Sequence, residues 1–178
     1  GGMLVTDNQT LYEKVLTLSN HGRSRQYETE YWPEVIGYKF KMSNIQAAIG
    51  CAQIERLRDL VDRKREILAY YKAAFEKYSE ITMNLEPSNV VNGAWMPTVV
   101  FSEKTGVTRE RLQRSFKDAN IDARIFFWPL SSLPFFKSIP SNSIASKIAK
   151  RAINLPSFHD ISEYQLDRIC NVILRHVS

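Results

Sequence analysis

The chain has 178 residues, 44% of them hydrophobic and 24% charged, with a formal net charge of +5. That composition argues against a disordered or membrane chain and fits one full-sized globular domain, with at most an appendage. No run approaches the ~18 apolar residues of a membrane span, and no basic-then-apolar leader opens the sequence, so no membrane partner and a cytoplasmic location are the default expectations.

Met3 to Thr6 is a short apolar run that reads as a strand, followed by a helix capped by Asp7 and carrying Leu11, Val15, Leu16 and Leu18 at near-helical spacing. From Asn20 to Met42 the periodicity disappears, and His21, Gly22, Pro33 and Gly37 punctuate a segment rich in Arg and Tyr. A stretch of that length without regular structure often carries function. Ser43 with Gln46 forms a capping box, which predicts a helix running to about Lys77, on the order of 50 Å long at ~1.5 Å per residue if unbroken. The charged block Asp62-Arg63-Lys64-Arg65-Glu66 interrupts its apolar stripe, so a kink there, or two helices end to end, would each fit. Acids interleave with bases from Asp59 to Glu66, which reads as a solvated face. A long amphipathic helix of this kind packs against a second domain or a second subunit.

Beyond the turn-rich Glu86-Pro87-Ser88-Asn89, Ala94 to Phe101 reads as a strand in which Pro97 argues for an edge position or a bulge. Thr108 caps a helix through about Ala119, Ile121 to Trp128 reads as a second strand, and a short helix spans Ser143 to Ala152. Ile153-Asn154-Leu155 is a third strand, and Ser162 with Gln165 is a second capping box that starts the final helix. The second half is therefore α+β: antiparallel strands with helices on one face.

The junction of the aromatic, basic loop with the capped helix at Ser43 is the leading candidate site. Helix N-termini expose unpaired N–H groups and the positive end of the macrodipole, and Lys39 and Lys41 place two ammonium groups just ahead of them, so a phosphate-bearing guest fits, with solvated surface charge as the plain alternative. Nucleic acid is disfavoured: Arg23, Arg25, Lys39 and Lys41 alternate with aromatic residues, but no nucleic-acid motif accompanies them. No serine sits in a nucleophile elbow, His159-Asp160 reads as a turn ahead of a helix, and Cys170 and His176, six apart on a helix, do not share a face for a metal. Cys51 and Cys170 read as buried, reduced thiols. Phe126, Phe127, Trp128, Phe135 and Phe136 read as core, with a wall for a sugar or a base as the alternative.

Taken together, these segments resemble the DegT/DnrJ/EryC1/StrS family of sugar aminotransferases. The likeness runs through Gly1-Gly2-Met3-Leu4-Val5-Thr6-Asp7, Leu18-Ser19-Asn20-His21-Gly22, Gly37 to Gln53, Arg63 to Ile67 with Tyr70-Tyr71, Arg124 to Pro134, and Leu155-Pro156-Ser157. It implies the C-terminal part of a fold-type I transferase dependent on pyridoxal 5'-phosphate: residues 1–42 a remnant of the large domain with an active-site loop, 43–77 a long connecting helix, and 78–178 a small α+β domain. It implies a homodimer that moves an amino group from glutamate to a 4-keto-6-deoxysugar carried on a nucleotide. The same resemblance puts the catalytic lysine a few residues upstream of the glycine pair, so no catalytic residue is expected in this chain, which should be inactive alone. In the family, the loop before the long helix reaches the cofactor phosphate of the neighbouring subunit; here Lys39 stands where many members have asparagine, and Lys41 where arginine is usual. By the same carry-over His21, Arg25, Tyr27, Tyr38, Trp128 and Ser131 would contribute to the nucleotide-sugar pocket, Ser131 standing where many members have histidine. A dehydratase of the same fold is the near rival, and a non-catalytic anion-binding or dimerising module the distant one.

Overall fold

The computed structural model describes residues 2–24 and 31–177, divided into two units, Gly1–Arg56 and Leu57–Ser178. In the first unit α1 spans Gln9–Ser19 and is capped by Asn8, whose side chain accepts from the Leu11 N–H. The cap lies one residue beyond the Asp7 expected from sequence. Met3 to Thr6 does not form a strand. A strand needs a neighbouring backbone to take its N–H and C=O groups, and the bridge recorded in this unit joins Asn20 to Lys39 instead.

The second helix, α2, spans Asn44–Glu55 and opens with the expected reciprocal box: the Ser43 hydroxyl accepts from the Gln46 N–H and the Gln46 side chain accepts from the Ser43 N–H. Helix α3 runs from Leu57 to Phe75. The predicted long helix is thus two successive helices, interrupted at Arg56, which has φ −111° and ψ 19° and bonds back to the Ile54 carbonyl. The break does not fall at the charged block Asp62–Glu66, which is continuous helix within α3.

In the second unit, β1 (Ile81–Met83), β2 (Thr98–Phe101), β3 (Arg124–Ile125) and β4 (Ala152–Asn154) form an antiparallel sheet in the order β1-β2-β4-β3. Between them lie α4 (Arg109–Asp118), capped by Thr108 as expected, and α5 (Ser143–Ala149). The closing helix α6 (Glu163–Leu174) starts at the Ser162–Gln165 box. Strand β2 begins only after Pro97, whose carbonyl still accepts from the Leu155 N–H at 2.8 Å. The proline therefore marks the entry to an inner strand, a position where its missing donor costs no ladder bond.

Alternation along β2 turns Val99 and Phe101 inward. They share one core with Ile67, Tyr71 and Phe75 of α3, Leu112 and Phe116 of α4, and Leu166, Ile169 and Ile173 of α6. Three amphipathic helices and one sheet face thereby bury each other's apolar stripes, the arrangement that stabilises an α+β layer. Truncating a central side chain such as Phe116 should cost ~3–5 kcal/mol.

The charged block on α3 is not a solvated face. Arg63 donates from Nε to the His159 carbonyl at 3.1 Å and from Nη2 to the Ile161 carbonyl at 2.7 Å. Lys64 Nζ donates to the Ser157 carbonyl, and the Tyr71 hydroxyl to the Pro156 carbonyl at 2.8 Å. The segment after β4 has no ladder partners for these carbonyls, so α3 supplies the donors. His159-Asp160 forms the turn expected from sequence.

Candidate functional site

In the first unit the chain doubles back so that the end of α1 meets the segment before α2. Tyr38 N–H donates to the Leu18 carbonyl at 2.6 Å, His21 N–H to the Tyr38 carbonyl at 3.0 Å, and the Phe40 and Lys41 amides both to the Ser19 carbonyl at 3.0 and 3.1 Å. Two glycines allow this close approach. A Cβ on Gly37 would lie 2.0 Å from the Gly22 nitrogen, and one on Gly22 would lie 1.8 Å from the Val35 oxygen. Gly22 also has φ +75°, after His21 at φ 61°, a left-handed pair that turns the chain sharply out of the helix.

The pairing fixes the backbone from Tyr38 to Lys41 immediately ahead of the box at Ser43. His21, Tyr38, Lys39 and Lys41 are all exposed, and the Tyr38 and Phe40 rings stack with centroids 5.3 Å apart. Among the described residues neither lysine is in an ion pair. The capping box occupies the Ser43 and Gln46 amides, while those of Asn44 and Ile45 fall too early in α2 for an intrahelical partner. Two ammonium groups and a helix start make a donor set that suits a dianionic phosphate. The structure brings His21, Tyr38, Lys39 and Lys41 into one backbone ladder. Arg25 and Tyr27 lie outside the described residues.

Trp128 and Ser131 belong to the second unit. Trp128 follows β3, and Ser131 lies in a single 3-10 turn, Leu130–Ser132, entered through Pro129. The aromatic cluster is not core: Phe127, Trp128, Phe135 and Phe136 are all more than half exposed. Pro129 and the turn hold the segment at the surface, and the interior space is already filled by the residues of α3, α4 and α6. The Trp95 and Phe127 rings stack at 6.4 Å, and the Arg109 guanidinium lies 3.6 Å from the centroid of the Trp128 ring. Sequence reasoning missed Arg109; its one signal was a basic residue directly after the Thr108 cap, where an acid is usual.

The thiols differ from expectation in one case. Cys170 is buried, and burial pushes its thiol up to about 12, whereas Cys51 is exposed on α2, a helix with no buried residue. Among the described residues no cluster of His, Cys, Asp or Glu could hold a metal ion, and no helix is long and apolar enough to cross a membrane.

The profile of the DegT/DnrJ/EryC1/StrS aminotransferase family matches residues 1–174. The chain belongs to that family. Among curated members it is 36% identical to the GDP-perosamine synthase of Escherichia coli O157:H7 over 174 residues, covering 97% of this chain and 46% of that protein. It is 28% identical to the GDP-perosamine synthase of Vibrio cholerae, covering 97% and 47%. The aminotransferase PseC of Helicobacter pylori, involved in the biosynthesis of pseudoaminic acid, superimposes with a TM-score of 0.81 at 19% identity, covering 97% of this chain and 47% of that one. The shared fold is thus that of the aminotransferases, and the chain spans about half the length of the relatives it matches.

Proposed function

We propose that the chain supplies the phosphate-gripping loop and the small domain of a pyridoxal-phosphate-dependent aminotransferase that moves an amino group from glutamate to a nucleotide-linked 4-keto-6-deoxysugar. The observation that carries this reading is the glycine-locked ladder that holds Lys39 and Lys41 ahead of the capped start of α2, in a chain that also matches curated GDP-perosamine synthases along 97% of its length. When bound, the cofactor supplies the electron sink for transamination.

In this reading Lys39 and Lys41 of one subunit neutralise the cofactor phosphate held by the other subunit of a homodimer. Their ammonium groups act as point charges, so the replacement of a family arginine by Lys41 keeps the charge and gives up the planar fork. His21, Arg25, Tyr27 and Tyr38 border the nucleotide sugar, Trp128 offers an aromatic face, and Ser131 supplies a hydroxyl that can donate a hydrogen bond.

The test is turnover by the full-length, cofactor-loaded protein of GDP-4-keto-6-deoxymannose with glutamate, followed by mass spectrometry. Appearance of the amino sugar with 2-oxoglutarate is the expected result. A deoxygenated sugar would identify a dehydratase of the same fold. Absence of turnover together with salt-dependent polyanion binding would identify a non-catalytic module.

A further inference from the structure

Arg109 is poorly placed by local rules. It is the first residue of α4, where a cation opposes the macrodipole. Its side chain is 6% exposed, and Nη1 is buried without a hydrogen-bond partner among the described residues. Its carboxylate neighbour, Glu110, is mostly exposed and lies 3.5 Å from Nε. An unpaired buried donor lowers stability, so neither capping nor ion pairing accounts for the residue. What Arg109 does make is a stack, with its guanidinium carbon 3.6 Å from the centroid of Trp128.

Trp128 is nevertheless 54% exposed. With one face of the indole covered by the guanidinium, the exposed area belongs to its edge and opposite face. A ring pinned from behind loses little freedom when something stacks in front. The cation also draws π density toward itself, which makes the open face less suited to a sugar C–H face and better suited to an electron-rich purine.

We propose that Arg109 is a positioning residue that holds the Trp128 indole as a stacking platform for the base of the nucleotide sugar. This rests on the reading that the protein binds such a substrate. The fixed platform contributes to ground-state binding and leaves the reacting carbon untouched, so its loss is felt in KM.

The experiment compares Arg109→Met, Arg109→Lys and Trp128→Ala in the full-length, cofactor-loaded protein. GDP and GDP-mannose are titrated by calorimetry, and the Trp128 signal is followed by 19F NMR after 5-fluorotryptophan labelling, assigned with Trp128→Phe. For Arg109→Met the expected results are a shifted and broadened Trp128 resonance without ligand, about tenfold weaker binding of both GDP and GDP-mannose, and a matching rise in KM with kcat within about twofold. Arg109→Lys keeps the charge but not the flat plane and falls between, which supplies a second arm if the methionine variant does not fold. An unmoved resonance, or unchanged GDP affinity in Arg109→Met when Trp128→Ala has lost it, overturns the proposal. Weakened GDP-mannose with unchanged GDP would assign the platform to the sugar and overturn the base. Unchanged affinity in Trp128→Ala would remove the indole from the substrate site and the proposal with it, while turnover in that variant would leave the aminotransferase reading standing.

Discussion

Gly37 leaves no room for a side chain, because any Cβ there would be driven into the Gly22 backbone. Gly37→Ala should cost at least ~1 kcal/mol in the stability of this ladder. Amide hydrogen exchange reads the effect directly, with protection lost at Tyr38 and Lys41, whose N–H groups bond to Leu18 and Ser19. Preserved protection would show that the backbones can separate without cost. At the other end of the chain, burial and then the charge of Arg111 hold His176 below its ordinary pKa of 6.5. The unfolded chain therefore takes up this proton first as pH falls. The stabilising contribution is complete above pH 6.5 and is lost as pH drops through the depressed native value, with a slope no steeper than ~1.4 kcal/mol per pH unit. Denaturant titrations through this window should show that slope, and His176→Gln should flatten it. Its Nε2 lies 3.0 Å from the Ser115 hydroxyl, so the glutamine keeps a polar partner.

Among the elements, the helix starts were the most legible. Ser43 and Ser162 form the boxes that their spacing to Gln46 and Gln165 predicts, and Thr108 caps as expected, because a cap involves only chain neighbours and needs no tertiary partner. Ser43→Ala should therefore destabilise α2 by ~1 kcal/mol, checked by the helicity and exchange rates of residues 44–55. Strands were less legible. β1 and β3 are only three and two residues long, too short to show a period, and Met3–Thr6 looked like a strand only because its composition says nothing about a missing neighbour. Arg56 carries no glycine or proline signal for the break between α2 and α3. The charged block of α3 misled for the opposite reason, since its donors serve carbonyls more than ninety residues away in sequence. Arg63→Ala should destabilise the second unit by ~1–3 kcal/mol by leaving those carbonyls without donors, read by chemical denaturation. A loss within a few tenths of a kcal/mol would mean water replaces them. At the candidate site, the capped helix start behind Lys39 and Lys41 was legible because its residues are contiguous. The stacking of Arg109 on Trp128 was not, since that pair is brought together only by folding.

At the scale of the whole molecule, α2 buries none of its residues, with Ile45, Ile49 and Ile54 each more than 60% exposed. Apolar surface of that kind favours association, so the chain expressed alone should sediment as more than a monomer or bind an apolar dye. A monomer with little dye-accessible surface would contradict this. The chain belongs to the aminotransferase family by the match across residues 1–174, and the proposed role of Lys39 and Lys41 within it is to grip the cofactor phosphate. Its most direct test is the dissociation constant of pyridoxal 5'-phosphate from the full-length protein, followed by cofactor absorbance, for Lys39→Met, Lys41→Met and the double variant. Each charge-assisted contact is worth ~1.5–3 kcal/mol, so each single change should weaken binding at least about tenfold, and the double change about a hundredfold or more. Unchanged cofactor affinity in the double variant would contradict the account.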